Sequence, residues 1–247
     1  MKAAPDDQLR LLDLQALVTA LDRLTHRRRT LPELAEIDEL GARLTRLADD
    51  IVLIETEDKD LAREQAKIDA DVEQVRARMT RDQQRLDAGQ VGSPRELENL
   101  QSEIESLRRR QGDLEDVELE VMERRELVQN RLEELKREKE QGSLALDAAE
   151  RRRDTTWAEI DAEADKAALQ RAELAGTLAV ELVALYEKVR GSSNGIGAAA
   201  LLRGRCEGCH LQLNTTDLNR IHDAPADDVL RCEECRRILV RTTDSGL

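Results

Sequence analysis

Between Ile37 and Leu86, apolar residues recur at alternating steps of three and four, and this pattern restricts the chain to long paired helices. The positions are Ile37, Leu40, Leu44, Leu47, Ile51, Ile54, Asp58, Leu61, Gln65, Ile68, Val72, Val75, Met79, Asp82 and Leu86. Twelve of these fifteen are aliphatic or methionine, a spacing that a helix buries along a seam with a partner helix. Further on, Leu97, Leu100, Ile104, Leu107, Leu114, Val121, Val128, Leu132, Leu135, Leu146 and Ala149 follow the repeat less strictly, interrupted by Gln111, Glu118, Arg125 and Lys139. Polar residues in such a seam read as register devices rather than catalytic groups. Composition agrees: Phe is absent, and Trp157 and Tyr186 are the only large rings. A compact enzyme of this size draws on aromatics to fill its core, whereas a helical seam does not need them.

Two places carry helix-breaking chemistry. Gly89-Gln90-Val91-Gly92 ends one helix, and Ser93-Pro94-Arg95-Glu96 starts the next, with Ser93 as N-cap, Pro94 in the first turn and Glu96 closing a capping box. Thr30-Leu31-Pro32-Glu33 repeats the Thr-x-x-Glu spacing and is expected to cap in the same way. The reading is a mainly α chain: a helical coiled-coil domain over 1–190, with helices at about 6–28, 33–87 and 94–190, then a flexible linker over 191–197 and a small β domain over 198–247. The second helix spans ~82 Å at 1.5 Å per residue and pairs antiparallel with the third. The first helix carries an expected stripe of Leu9, Leu12, Ala16, Leu17, Ala20 and Leu24. It covers the far end of the third helix, giving a three-helix base and a two-helix arm.

Net charge is −14, which disfavours bulk attraction to nucleic acid or anionic membranes. The runs Arg27-Arg28-Arg29, Arg108-Arg109-Arg110 and Arg151-Arg152-Arg153 lie among many acids and read as solvated helix faces. The N-terminal residues contain no apolar run of a secretory signal, and no segment has the apolar length of a membrane span. The expected compartment is therefore the reducing cytoplasm, where paired cysteines hold metal more often than they form disulfides.

All four cysteines fall in two pairs, Cys206-Glu207-Gly208-Cys209 and Cys232-Glu233-Glu234-Cys235. A C-x2-C knuckle turns both sulfurs to one side, and two knuckles supply four thiolates in a tetrahedron suited to one structural Zn²⁺. The 22 residues between the pairs accommodate a strand, a short helical turn and a return strand. Short alternating segments, His210–Asn214 and Arg237–Arg241, flank the knuckles and are expected to be strands. So small a unit, lacking aromatics, gains its stability from the metal, whose ligation is worth about 10–16 kcal/mol in zinc-finger peptides. Four thiolates also suit iron, and Cys206-Glu207-Gly208-Cys209-His210 matches a haem-attachment pattern, but that pattern leaves Cys232 and Cys235 unused. A dithiol redox centre needs one such pair on a βαβ scaffold. His210 and His222 are not needed as ligands.

Three stretches carry a resemblance to the bacterial C4-type zinc-ribbon proteins with an N-terminal coiled coil. They are Ser93-Pro94-Arg95-Glu96-Leu97 with Leu100-Gln101-Ser102-Glu103-Ile104, Leu185-Tyr186-Glu187-Lys188-Val189-Arg190, and the knuckles with Cys235-Arg236-Arg237-Ile238-Leu239. The resemblance covers nearly the whole chain. It implies that Cys206, Cys209, Cys232 and Cys235 ligate zinc, and that the role is nucleic-acid-binding or regulatory. One departure stands out: the group usually has Gly after the last cysteine, where Arg236 stands here.

The functional expectation is a non-enzymatic adaptor in transcription or translation, contacting RNA, DNA or a protein through the ribbon, with no membrane and no small-molecule substrate. Candidate contacts are Arg203, Arg205, Arg231, Arg236, Arg237 and Arg241, with Arg220 nearby. Residues 201–247 set eight acids against these seven arginines and offer no aromatic for base stacking, which keeps a protein partner level with nucleic acid. The alternative is a coiled-coil spacer whose zinc only stabilises the C-terminal domain. No Ser-His-Asp set or phosphate-binding glycine loop suggests an enzyme.

Overall fold

A computed structural model describes residues 1–247. The elements in chain order are α1 (Pro5–Arg29), α2 (Pro32–Asp87), α3 (Pro94–Gly176), α4 (Val180–Ser192), β1 (Ala198–Leu202), β2 (Arg205–Cys206), α5 (Thr215–Asp223), β3 (Leu230–Arg231) and β4 (Ile238–Val240). Contacts group the chain into two units, one of Ala35–Glu150 and one of Met1–Leu34 with Arg151–Leu247. The boundaries read from sequence at 190 and 198 do not coincide with this division.

Within Ala35–Glu150, α2 and α3 form an antiparallel hairpin. Cross-helix ion pairs run in opposite order along the two helices: Arg43 with Glu138, Glu55 with Lys136, Asp58 with Arg125, and Arg76 with Glu115. All fifteen positions of the α2 repeat are buried or half-buried. The aliphatic pair just outside the repeat, Val52 and Leu53, is 62% and 67% exposed, so spacing and not hydrophobicity selects the seam. Leu61, Ile68 and Val72 pack with Leu114 and Val121, and Leu47 and Ile51 pack with Leu135. Arg125, an interruption of the repeat, donates from Nε to Asp58 (3.1 Å) and from Nη1 to Gln65 (3.1 Å), while Gln129 also donates to Asp58 (3.0 Å). Hydrogen bonding by Arg125 holds the Asp58 carboxyl below its usual range. One arginine thus meets two polar seam positions on the facing helix, which fixes register because a slipped pairing would strand all three.

The hairpin turn follows its capping chemistry. The Gln90 N–H donates to the Arg85 carbonyl and the Gly89 N–H to the Leu86 carbonyl, a Schellman motif that places Gly89 at φ +66°. At the start of α3, the Glu96 N–H donates to Ser93 Oγ (3.3 Å), and the Glu96 carboxylate accepts from the Gly92 N–H (2.9 Å), one residue earlier than a regular capping box.

The second unit departs from the sequence reading in several respects. α3 ends at Gly176 and a separate α4 follows, in place of one helix to 190. Gly176 is a poor helix former, Thr177 Oγ1 donates to the Leu174 carbonyl (2.7 Å), and Leu178 in the break is buried in the core. No side chain caps α4, so nothing in the sequence flagged the restart. Thr30 closes α1 by donating from its hydroxyl to the His26 carbonyl (3.0 Å) and does not cap α2. The expected α1 stripe is out of phase: Leu9 and Ala16 are exposed, and the buried residues are Gln8, Leu11, Leu14, Gln15 and Val18. Apolar residues surround much of α1, and two glutamines on the buried face hid the true stripe.

Four strands form a sheet in the order β2-β1-β4-β3, with β1 parallel to β4 and the other pairs antiparallel. The Ala-rich β1 was not anticipated. Of the expected strand His210–Asn214, only a single bridge from Gln212 to Arg205 exists. The expected strand at Arg237–Arg241 appears as β4. Alternate residues of the β1–β4 pair enter two cores. Ala198, Ile238 and Val240 join Leu11, Leu14 and Val18 of α1 and Leu182, Tyr186 and Val189 of α4, while Ala199, Leu201 and Leu239 join Cys206, Cys232, Leu213 and Ile221. Residues 191–197, read as a flexible linker, are held in place. Gln15 Nε2 donates to the Gly195 carbonyl (3.0 Å), and Gln15 Oε1 accepts from the Gly197 N–H (2.7 Å) and the Tyr186 hydroxyl (3.1 Å).

The seam assignment predicts a contrast between neighbours on α2. Leu61→Ala should destabilise the chain by about 2–5 kcal/mol in urea unfolding. Leu53→Ala should stay within about 0.5 kcal/mol of the parent. Equal effects would mean the helices pair through another face.

Candidate metal centre

Each knuckle is a tight turn closed by its own backbone. The His210 N–H donates to the Cys206 carbonyl (2.7 Å) and the Arg236 N–H to the Cys232 carbonyl (2.9 Å), so the two C-x2-C loops have equivalent geometry. The residue after each second cysteine adopts a left-handed conformation, His210 at φ +59° and Arg236 at φ +61°. Arg236 therefore accepts the backbone that glycine would take freely, and His210 does the same in the first knuckle, where no residue type marked the position.

The four sulfurs converge. Cys206 and Cys235 Sγ lie 3.9 Å apart, as do Cys209 and Cys232 Sγ, and all four are within 4.8 Å of one another. Zn–S bonds of about 2.3 Å in a tetrahedron place sulfurs about 3.8 Å apart, whereas a disulfide requires about 2.05 Å. Burial pushes the Cys206 thiol well up, against the backbone N–H groups of Cys209 and Gly208, and raises Cys232 likewise against those of Cys235 and Glu234. At Cys235 burial acts in the same sense, but the Arg237 N–H and the neighbouring sulfurs outweigh it and the thiol is lowered. Buried thiolates with N–H groups directed at them are matched by a cation at their centre. The donor set fits one zinc ion, held by Cys206, Cys209, Cys232 and Cys235 and closed to water, which is a structural site.

The candidate arginines divide into two groups. Arg203 and Arg205 flank the β1–β2 turn and are exposed, as are Arg231 and Arg236. Arg205 pairs with Glu207 (2.8 Å), Arg236 with Glu233 (3.1 Å), and Arg220 also with Glu233 (2.6 Å). Arg237 and Arg241 instead hold the fold. Arg237 donates to the carbonyls of Ile196 (3.2 Å), Gly208 (2.8 Å) and Ser193 (2.9 Å), tying the first knuckle to the end of α4. Arg241 donates to the carbonyls of Ile221, Ala224, Pro225 and Ala226, closing the C-terminal end of α5. Sequence reasoning missed the N-terminus as part of this unit. The Ala3 N–H donates to the Asp227 carbonyl (2.8 Å), the Val229 N–H to the Met1 carbonyl (3.1 Å), and Lys2 pairs with Asp227 (2.9 Å). It also missed Gln15, whose polar side chain gave no hint of a buried role.

A sulfur-only zinc ribbon in a chain that also folds a long helical hairpin defines the class, a coiled-coil zinc-ribbon protein. Residues 14–194 match the family model of the CT398-like coiled coil hairpin domain, and residues 205–239 match that of the C4-type zinc ribbon domain. The chain belongs to the CT398-like coiled-coil hairpin family. It is 35% identical over 241 residues to the uncharacterized protein Rv2229c of Mycobacterium tuberculosis, covering 98% of each chain. A solved structure from Mycobacterium smegmatis is 34% identical, with 98% of this chain and 100% of that one covered and a TM-score of 0.83. CT398 from Chlamydia trachomatis, 20% identical over 96% of this chain and 98% of its own, shares the fold with a TM-score of 0.68.

Two predictions follow from the knuckles and the shared strands. Chelation should release one zinc per chain and remove amide-exchange protection from β1 and β4, and also from Leu11–Val18 of α1, because both cores lean on the same strand pair. Unchanged protection in α1 would refute that coupling. Replacing His210 and Arg236 with glycine should each raise stability, by up to about 1 kcal/mol in thermal unfolding of the zinc-loaded protein, since glycine relieves the left-handed backbone. A loss of stability at both positions would show that the side chains matter more than the backbone.

Proposed function

We propose that this protein is a non-enzymatic adaptor whose zinc ribbon binds a macromolecular partner of the transcription or translation machinery in the cytoplasm. The observation that carries the reading is charge segregation. Residues 35–150 hold 32 acids against 19 basic residues, −13 of the total −14, whereas the unit with the ribbon is close to neutral. A polyanion or acidic surface is repelled by the hairpin and tolerated by the ribbon unit. Arg203, Arg205, Arg231 and Arg236 are the ribbon arginines exposed for contact, and Arg237 and Arg241 support the fold behind them. The exposed set alternates with Glu207 and Glu233, a mixed pattern that suits a protein partner at least as well as RNA or DNA. All four cysteines turn toward one centre, which supports a structural and not a catalytic use of sulfur. No helix is long and apolar enough to cross a membrane.

The spacer reading has its own support, since the ribbon shares a core with α1 and α4 and its zinc stabilises that core. An affinity pull-down from the native host, with and without nuclease, separates the two readings. The variant R203E/R205E/R231E/R236E should keep its zinc and helicity yet lose the partner. Capture that survives nuclease identifies a protein, and capture that nuclease abolishes identifies nucleic acid. Undiminished capture by the variant would remove the ribbon face from the model and leave the spacer.

A further inference from the structure

We infer that Arg203 anchors a polypeptide partner on the ribbon, taking a carboxylate from a segment that also offers Asp244 a hydrogen-bond donor. This rests on the ribbon reading above and commits it to one class of partner. Leu202 stands opposite Arg205 across the β1–β2 pair, so Arg203 and Gly204 alone form the turn, and both have positive φ, +48° and +74°. A two-residue turn of this kind favours Asn-Gly or Gly-Gly, because the left-handed backbone crowds an ordinary Cβ. Arginine at its first position is a local cost, and the fold makes no use of the side chain. It is exposed, and its guanidinium group has no hydrogen bond or ion pair within the chain. A strained residue whose side chain serves nothing inside the fold points to a use outside it.

The backbone that carries Arg203 is fixed from both sides. The Arg203 N–H donates to the Asp244 carbonyl (2.8 Å), the Gly204 N–H to the Ser245 carbonyl (2.8 Å), and the Leu213 N–H to the Gly204 carbonyl (2.9 Å). Gln212 Nε2 donates to the Arg203 carbonyl (3.3 Å). Ser245, buried at 2% exposure, locks the C-terminal turn by donating to the Leu201 carbonyl (3.0 Å) and accepting from the Thr242 N–H (2.8 Å). Arg203 and Asp244 are thus held in place before any partner arrives, which lowers the cost of ordering on binding.

Both residues line one cleft of about 590 Å³, together with Leu202, Arg205 and Gln212. Arg205 is already paired with Glu207 (2.8 Å), so the charges left over are the Arg203 guanidinium and the Asp244 carboxylate, which form no ion pair with each other. Two unpaired charges of opposite sign in one cleft define the ligand. A phosphodiester strand carries one sign only and is repelled by Asp244, and the ribbon has no ring on which a base could stack. A polypeptide supplies both signs: an acid for the fork of Arg203, an N–H or cation for Asp244, and an apolar side chain to cover half-buried Leu202.

Panning a displayed heptapeptide library against the full-length, zinc-loaded protein should enrich peptides that carry Asp or Glu. The tightest of them, made synthetically, should bind R203G roughly tenfold more weakly. That variant should keep its zinc and unfold no more easily than the parent, because glycine takes the turn freely; R203N, the residue the turn prefers, should behave alike. Exchanging the acid of the peptide for Lys should restore binding to R203E, and D244N should weaken the original peptide several-fold. A charge-matched single-stranded RNA oligonucleotide should not displace it. The inference is overturned if the selected peptides lack an acid, if R203G and R203N bind them as the parent does, or if the RNA displaces them. In the host pull-down, undiminished capture by R203G overturns it too, and the ribbon reading then stands or falls on R203E/R205E/R231E/R236E.

Discussion

The parallel pairing of β1 with β4 is the constraint on which the zinc-bearing unit depends. Successive residues of a strand point to opposite faces, and here both faces are largely covered, with Ala200 and Leu202 half-buried. One side of the pair is the wall of the core formed with α1 and α4, and the other is the floor of the metal centre. Strands buried on both sides read as continuous apolar runs, which is what Ala198-Ala199-Ala200-Leu201-Leu202 and Ile238-Leu239-Val240 are. The alanines of β1 are small because α1 approaches on one side and the first knuckle on the other.

This arrangement changes what the zinc does. In a free-standing ribbon the metal stabilises only its own loops. Here the sulfur tetrahedron fixes the floor of a wall against which two helices pack, and Arg237 reaches from beside the last cysteine to the end of α4. Gln15 works from the opposite side, joining α1 to Tyr186 and to the chain entering β1. The ribbon is therefore a face of the helical unit, which keeps its exposed arginines in a fixed relation to α1.

The hairpin follows a simpler logic. Its specificity comes from a few polar residues placed where aliphatic ones would serve stability better. Arg125, Asp58 and Gln65 satisfy one another only in one register, and the surrounding leucines supply attraction without selecting it. Nearly all the net negative charge of the chain, −13 of −14, lies on this hairpin, which keeps it solvated and disfavours nonspecific contact with polyanions.

The hairpin and the metal ligands were legible in the sequence because each rests on a local rule. A 3-4 repeat names its own seam, as the contrast between buried Ile51 and exposed Val52 and Leu53 shows, and a C-x2-C pair closes its own turn. The misread elements lacked such a rule. Gln8 and Gln15 are buried because distant carbonyls and N–H groups await them, and α3 stops at Gly176 because Leu178 enters a core built from other segments. The α1 stripe was out of phase for the same reason: a helix with apolar residues on most sides takes its orientation from its neighbours. Sequence by itself determined a long helical hairpin and a four-sulfur zinc site, since both are written in short-range spacing. Tertiary structure alone decided that the ribbon would be built into the helical unit, that Arg237 and Arg241 would serve the fold, and that Arg28 and Arg153 would meet over the Trp157 ring. Those outcomes depend on which surfaces bury each other, and no local pattern encodes that.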